Sequence, residues 1–409
     1  MAKLVSFLEY LTILVFSAFL FIAPYDRKLV KYILLCGVVF LFLSRLLKFK
    51  GGLKRTLFVL KPANKTVLFF LFSCFFSIAL SLNPYHSQKI FTNRYLFYIL
   101  LVWAGCGLGK EFGKRKIIFL IIAFNLAALF MGLGGVWDYI KRNPGSDRLW
   151  TVWGKSTPFD MLPLYISFFI PFNLAFLLNR GSKLLRGFSL INLLSLILFL
   201  IWQDCRSAFA AVTGSAVFIS GFFGKKFFIR FLILLLLIFV VLTLLFSAVR
   251  INMNKYIDFN KWDNRLPLYK AAVKIFLDHP FWGAGIGMFE KLIKIPRYEL
   301  PPDYFPPYKY LFIHAHSFYL ETLAEMGVLG LMAFFIAFYI FFVLLVKKIN
   351  SVPDNIIRPL LIGIGGLLIV SLVFGVSVTI ITVGISESGI SWFFFGIALG
   401  LIKREGWNG

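Results

Sequence analysis

The feature that most constrains this sequence is a series of long apolar runs separated by short charged stretches. A helix needs about 20 mostly apolar residues to cross roughly 30 Å of hydrocarbon, and the runs have that length. Hydrophobic residues make up 60% of the chain, against about 45–50% in a typical soluble domain. The sequence therefore predicts an all-α integral membrane protein.

We predict about twelve membrane-spanning helices, a number read from the apolar runs, forming a single polytopic domain over residues 1–409. The first run carries no A-x-A-like cleavage motif and further spans follow it, so we interpret it as a retained helix. The spans are expected near residues 7–23, 30–46, 66–82, 95–109, 117–138, 161–178, 187–202, 208–224, 231–249, 319–346, 359–379 and 389–402.

The formal net charge of +25 is distributed in a way that indicates topology. Lys and Arg are concentrated in short loops between apolar runs, such as RLLKFKGGLKR and NRGSKLLR. Loops of this kind usually lie on the cytoplasmic side of a membrane. We therefore expect both termini to be cytoplasmic, and nucleic-acid binding is excluded as an explanation of the charge.

On the opposite side, residues 250–316 form a long loop that is too polar to cross the membrane. Loops of this length are uncommon without a functional reason. Its middle, LPLYKAAVKIFLDHP, has apolar residues at helical spacing, at Leu268, Ala272, Ile275 and Phe276. This pattern predicts a short helix lying at the membrane surface and ending at the His-Pro pair.

The next stretch, GAGIGMF, resembles a glycine-rich phosphate loop. Such loops follow a strand and carry a lysine next to a serine or threonine, and neither feature is present here. We therefore interpret Gly283, Gly285 and Gly287 as a tight turn that ends the surface helix.

Two histidines, His314 and His316, end the long loop in the sequence HAHSFYLETLAEMG. His316 lies at the start of a predicted span, where the helix dipole favours the neutral imidazole that a general base needs. The alternative is an interfacial histidine beside a helix capped by Ser317. Glu321 and Glu325 are spaced i, i+4, and they either favour the helix dipole or orient a histidine.

Two arginines, Arg206 and Arg265, are expected on the same side of the membrane as the histidines. Each could simply pair with a nearby acid, Asp204 or Asp263. Their planar guanidinium groups also suit a diphosphate, because two parallel hydrogen bonds can form to its oxygens. No carboxylate cluster suited to a divalent metal is visible, so we expect chemistry without a metal or cofactor.

Three motifs resemble the O-antigen ligase and O-antigen polymerase superfamily of bacterial membrane glycosyltransferases. The most specific is His316-Ser317 followed by nine residues and Gly327. The second is NRLPLYKAAVKIFLDHPFWGAGIGMF, and the third is CRSAF, where Cys205 replaces the serine that the family often has. The resemblance extends over about residues 187–345, and it does not separate a ligase from a polymerase.

This resemblance implies a donor glycan carried on undecaprenyl diphosphate, with His316 as the base and Arg206 and Arg265 as diphosphate-binding groups. A ligase transfers the glycan to a lipid A–core sugar, whereas a polymerase extends another lipid-linked glycan. The resemblance also implies the fold of the GT-C class, the bacterial inner membrane and a periplasmic site. His314, Ser317 and Glu321 are candidate acceptor-binding or supporting residues.

The chemistry of transfer fits these residues independently of the family. An acceptor hydroxyl must lose a proton while the diphosphate leaves, and a single displacement inverts the anomeric carbon. We favour a ligase over a polymerase. A transporter is the alternative from another class, but it predicts charged or broken helices near the bilayer midplane, and ionisable residues are nearly absent there.

Overall fold

In the computed structural model, the part of the chain that the structure describes is almost entirely helical. The structure describes residues 1–23, 27–49, 64–142, 151–152, 155–156, 161–179, 183–203, 205–233, 237, 265–298, 314–378 and 385–404.

The N-terminal part consists of helices α1 (Ala2–Ile22), α2 (Arg27–Lys48), α3 (Asn64–Ala79), α4 (Pro84–Ile90), α5 (Leu96–Glu111) and α6 (Lys114–Arg142). A π-helical turn, Phe91–Tyr95, joins α4 to α5. A small antiparallel hairpin follows, with strands β1 (Thr151–Val152) and β2 (Lys155–Ser156).

The C-terminal part consists of α7 (Met161–Leu178), α8 (Lys183–Gln203), α9 (Arg206–Ser220), α10 (Leu266–Asp278), α11 (Phe289–Leu292), α12 (Phe318–Ser351), α13 (Ile357–Gly375) and α14 (Ile385–Lys403). A 3₁₀ turn, Gly221–Phe223, extends α9, and residues 225–233 are also helical.

Length and hydropathy make this a multi-pass all-α membrane protein. Seven described helices are long and apolar enough to cross a bilayer, and shorter apolar helices lie at Phe69–Ala79, Leu162–Leu178 and Ser388–Lys403. Every predicted span except 231–249 coincides with a helix, and that span lies mostly outside the described residues. The predicted surface helix is α10, which ends at the His-Pro pair as expected.

Small residues bring α5 and α14 into close contact. A Cβ atom added to Gly105 would lie 2.3 Å from the Phe393 carbonyl oxygen, and one on Gly400 would lie 2.3 Å from the Cys106 oxygen. Backbones approach this closely in membranes where glycines line the interface. The tight pairing fixes α5, and with it the π-helical turn at its start.

Helix α13 is buried along most of its length and connects the two ends of the bundle. Near its start, Lys114 Nζ lies 2.5 Å from an Asp354 carboxylate oxygen. At the same end of the bundle, Arg45 and Glu111 form an ion pair of 3.0 Å. The candidate site lies at the other end, where α13 finishes.

Candidate active site

The helix that follows the long loop, α12, is broken near its start. Gly327 has φ 65° and ψ −170°, a backbone conformation that essentially only glycine adopts. The hydroxyl of Ser317 accepts a hydrogen bond from the Leu320 N–H at 3.4 Å, which confirms the predicted cap. Nine residues, 318–326, lie between cap and break. The nine-residue spacing of the motif is therefore the length of the short helical segment 318–326, which we call the half-helix.

Residues 279–287, which we call the glycine turn, lie against this break. All three glycines of the turn have positive φ, between 72° and 116°, which confirms the predicted tight turn. A Cβ atom on Gly283 would lie 2.2 Å from the Glu325 carbonyl carbon, and one on Gly327 would lie 2.3 Å from the Phe281 oxygen. The glycines thus allow two backbone segments to touch.

Backbone hydrogen bonds connect the glycine turn to both sides of the break. The Gly285 N–H donates to the Glu325 carbonyl at 2.9 Å, and the Val328 N–H donates to the Pro280 carbonyl at 2.8 Å. Carbonyl and amide groups that the broken helix cannot pair internally are satisfied in this way. The half-helix is consequently held by main-chain contacts on its inner side.

Helices α3 and α4 support the same region from outside. Ser77 Oγ donates to the Glu325 carbonyl at 2.8 Å, and His86 Nε2 lies 3.1 Å from the Gly287 carbonyl. Burial lowers the pKa of His86, and the contact with the Gly287 carbonyl only partly opposes this. Both residues therefore have a structural role, which no sequence motif indicated.

The candidate base lies on a sharp turn before the half-helix. His316 has φ 49°, and among the described residues it is the only non-glycine residue with positive φ. One oxygen of the Glu321 carboxylate lies 3.2 Å from His314 Nδ1, and the other accepts the Ala315 N–H at 2.8 Å. Glu321 is 4% exposed. A buried carboxylate thus holds residues 314–316, the turn that carries both histidines, which we call the histidine turn.

The sequence left open whether Glu321 and Glu325 only favour the helix dipole or whether one of them orients a histidine. Glu321 contacts His314, so the second alternative holds for this acid. Burial alone would lower the pKa of His314, but the charge and hydrogen bond of Glu321 raise it overall. The positive charge of Arg94 opposes this increase, and Glu325 adds to it.

Arg94 is therefore close to the histidine turn, although sequence analysis did not select it. It lies in the π-helical turn, beside Tyr95, which packs in one cluster with Ile286 and Met326. Such π turns inside α-helices occur frequently at functional sites. The available signal was an arginine directly before an apolar run, on the side of the membrane that the sequence predicts for the histidines.

The second acid, Glu325, has a different partner. It is 7% exposed, and its carboxylate accepts the Phe289 N–H at 3.1 Å. This contact ties α12 to the first residue of α11. Glu325 therefore stabilises the architecture around the break.

Arg265 lies at the start of α10 and reaches the end of α13. Its Nη1 donates to the Ser377 carbonyl at 2.9 Å. The half-helix contacts the same end of α13, because the Tyr319 hydroxyl donates to the Leu372 carbonyl at 2.8 Å. The alternative partner, Asp263, lies outside the described residues. The end of α13 thus brings Arg265 and the helix start with His316 together.

Arg206 is the exposed first residue of α9, which runs antiparallel to α13. Arg358 donates to the Phe222 carbonyl at one end of this pair, and a Cβ atom added to Gly366 would lie 2.6 Å from Ser215 Oγ further along. From that contact, α13 ends nine residues later and α9 begins nine residues earlier, each about 13.5 Å away at 1.5 Å per residue. Arg206 therefore lies level with the last residues of α13. Asp204, its alternative partner, is outside the described residues.

An apolar cavity of about 120 Å³ lies between α5, α12, α13 and α14. Its lining residues include Tyr95, Phe334, Phe338, Ser371 and Trp392. The ring of Phe334 contacts that of Phe318, with centroids 4.7 Å apart. Because Phe318 is the first residue of the half-helix, the cavity lies one aromatic layer away from the histidine turn.

Fold and site together define a multi-pass membrane protein with a histidine turn on a broken helix and two arginines at the same end of the bundle. No group of three or more His, Cys, Asp or Glu side chains that could hold a metal ion occurs among the described residues.

Residues 191–335 match the family model described as O-antigen ligase, which covers a little over a third of the chain and includes Arg206, Arg265 and His316. This part of the chain is therefore similar to the O-antigen ligase family, and the match confirms the resemblance seen in the sequence. No curated protein matches the chain. The match supports a membrane enzyme of the glycosyltransferase type, with a lipid-linked glycan and a lipid acceptor as its general substrates.

Proposed function

We propose that the protein is an O-antigen ligase that transfers a glycan from undecaprenyl diphosphate to a sugar hydroxyl of a lipid A–core acceptor. One observation carries this proposal. The helical segment that follows His316 contacts the end of α13, because the Tyr319 hydroxyl donates to the Leu372 carbonyl, and the guanidinium of Arg265 donates to the Ser377 carbonyl just beyond that end. A base and a diphosphate-binding group at one place are what glycosyl transfer from a diphosphate requires.

In the proposed reaction, the acceptor oxygen attacks the anomeric carbon while its proton moves to His316. The bond between that carbon and the diphosphate oxygen breaks, and undecaprenyl diphosphate leaves with the bonding electrons. Arg206 and Arg265 stabilise the growing negative charge through charge-assisted hydrogen bonds, so the proposal uses no metal. A single displacement of this kind inverts the anomeric carbon.

The positive φ of His316 supports its selection as the base. Non-glycine residues in this conformation cost of order 1–3 kcal/mol and cluster at active sites. The two-point contact of Glu321 with the turn supplies a reason why the strained conformation persists. Ser317 contributes by capping the half-helix directly after His316.

We further propose that the site is periplasmic, in the inner membrane, and that both termini are cytoplasmic. The ion pairs of Arg45 and Lys114 lie at the start of α13, and the site lies at its end. This arrangement agrees with basic loops on the cytoplasmic side. The first isoprene units of the donor would lie at the apolar cavity beneath Phe318, with the diphosphate at the membrane boundary and the rest of the isoprenoid in the bilayer.

Purified protein, lipid-linked donor and lipid acceptor test the role of His316. We expect His316→Ala to reduce transfer by about 10²–10⁴, the usual contribution of a general base, while the protein still inserts into the membrane. His316→Asn is the sharper variant, because asparagine tolerates the left-handed backbone. Near-normal turnover of His316→Asn would contradict the assignment.

Glycan analysis of a deletion strain distinguishes a ligase from a polymerase. Loss of polymer from lipid A with retention of long lipid-linked chains is the result expected for a ligase. Single repeat units attached to lipid A would instead identify a polymerase.

A further inference from the structure

The two ring nitrogens of His314 have different surroundings, because only one of them contacts Glu321. Nδ1 faces the carboxylate at 3.2 Å, so Nε2 is the ring nitrogen left to contact a ligand. The His314 side chain is 16% exposed, whereas that of Glu321 is 6% exposed. The imidazole is thus partly accessible to a ligand, whereas its carboxylate partner is buried from solvent.

The charged groups around His314 determine its protonation. Glu321 and Glu325 face it from α12, and Arg94 faces it from the π-helical turn. Burial and Arg94 disfavour the imidazolium, but the contact with Glu321 outweighs them, and the pKa of His314 is raised. A raised pKa keeps the ring protonated to higher pH, and the positive charge is lost as pH rises through that pKa.

We propose that Glu321 positions His314 as an imidazolium whose Nε2–H donates a hydrogen bond to the diphosphate of the donor. His314 is then a third cationic contact besides Arg206 and Arg265, and Glu321 acts through it as a positioning residue. This inference rests on the proposed function and leaves removal of the acceptor proton to His316. Two neighbouring histidines would thereby have opposite roles, His314 as a protonated hydrogen-bond donor and His316 as a neutral base, and their surroundings would determine which is which.

Binding of undecaprenyl diphosphate without a sugar, to the full chain in nanodiscs over a range of pH, tests the proposal. We expect affinity to fall about ten- to hundredfold as pH rises through the pKa of His314, because one charge-assisted hydrogen bond is lost. His314→Gln should bind weakly at low pH and should remove this step. The remaining pH dependence of His314→Gln reports the ionisation of the diphosphate itself.

The variant Glu321→Gln tests the negative charge of residue 321 separately from its hydrogen bond to the histidine turn. Glutamine can still accept the Ala315 N–H, but it lacks the negative charge that favours the imidazolium, so the step should move to lower pH. Glu290→Gln is the matched control, because Glu290 is a surface acid paired only with Lys294 at 3.4 Å among the described residues. It should leave both the affinity and the step unchanged.

Two results would overturn the proposal. One is a His314→Gln profile that coincides with the wild-type profile in a variant that elutes as a folded monodisperse protein. The other is an affinity that rises with pH in a His314-dependent way. The measurement involves no transfer, so a protein that shows the step but never transfers glycan contradicts the proposed function and supports the role of His314.

Discussion

A methyl group added at Gly327 would collide with the backbone of the glycine turn. Its carbon would lie 2.3 Å from the Phe281 oxygen and 2.7 Å from the Gly283 nitrogen, distances that real Cβ contacts essentially never show. Neither atom belongs to a flexible side chain that could rotate away. Gly327→Ala must therefore separate the glycine turn from the half-helix or change the path of α12.

The expected cost follows from two contributions. Forcing alanine into φ 65° and ψ −170° costs about 1–3 kcal/mol. Separation also breaks the hydrogen bonds between Gly285 and Glu325 and between Val328 and Pro280, at about 0.5–1.5 kcal/mol each. We expect Gly327→Ala to destabilise the fold by about 2–6 kcal/mol and to abolish transfer.

Thermal unfolding in detergent, followed together with transfer activity, measures both effects. Gly187→Ala in α8 is the matched control, because a Cβ atom there meets nothing within 4 Å. Alanine is favoured over glycine inside a helix by about 0.5–1 kcal/mol, so the control should unfold at the wild-type temperature or above it. Wild-type stability and activity of Gly327→Ala would refute the reasoning.

Two further predictions concern the diphosphate and the topology. Arg265→Lys should lower kcat/KM at least about tenfold, because an ammonium keeps the charge but loses the two-pronged contact with phosphate. Arg297→Lys on the exposed surface is the control, and equal rates for both variants would refute the role of Arg265. A cysteine at position 303 should react with an impermeant thiol reagent added to the periplasmic side, and one at position 52 should not. The reverse pattern would invert the topology.

Much of the fold could be predicted because each span is long and continuously apolar. The length of α13 and the end of α10 at the His-Pro pair are local properties, and local sequence determines them. The cap at Ser317 was predictable for the same reason, since a serine directly before an apolar run is a common helix start.

The interior of the site could not be predicted, because it depends on contacts between distant segments. The motif indicated Gly327 by its spacing alone, whereas its cause is the approach of Phe281, which lies far away in the sequence. Likewise, the i, i+4 spacing of Glu321 and Glu325 did not reveal that one binds the histidine turn and the other the start of α11. Arg94 was missed because nothing in its local sequence links it to His314.

The break at Gly327 has a mechanical consequence for an enzyme whose two substrates are both anchored in lipid. The membrane-spanning part of α12 can tilt when bilayer thickness changes, as long apolar helices do. The glycine turn is hydrogen-bonded to both sides of the break, at Glu325 before it and at Val328 after it. A tilt of the span therefore also moves the glycine turn, and through it the short segment that follows the histidines, so bilayer thickness is coupled to the orientation of the histidine turn.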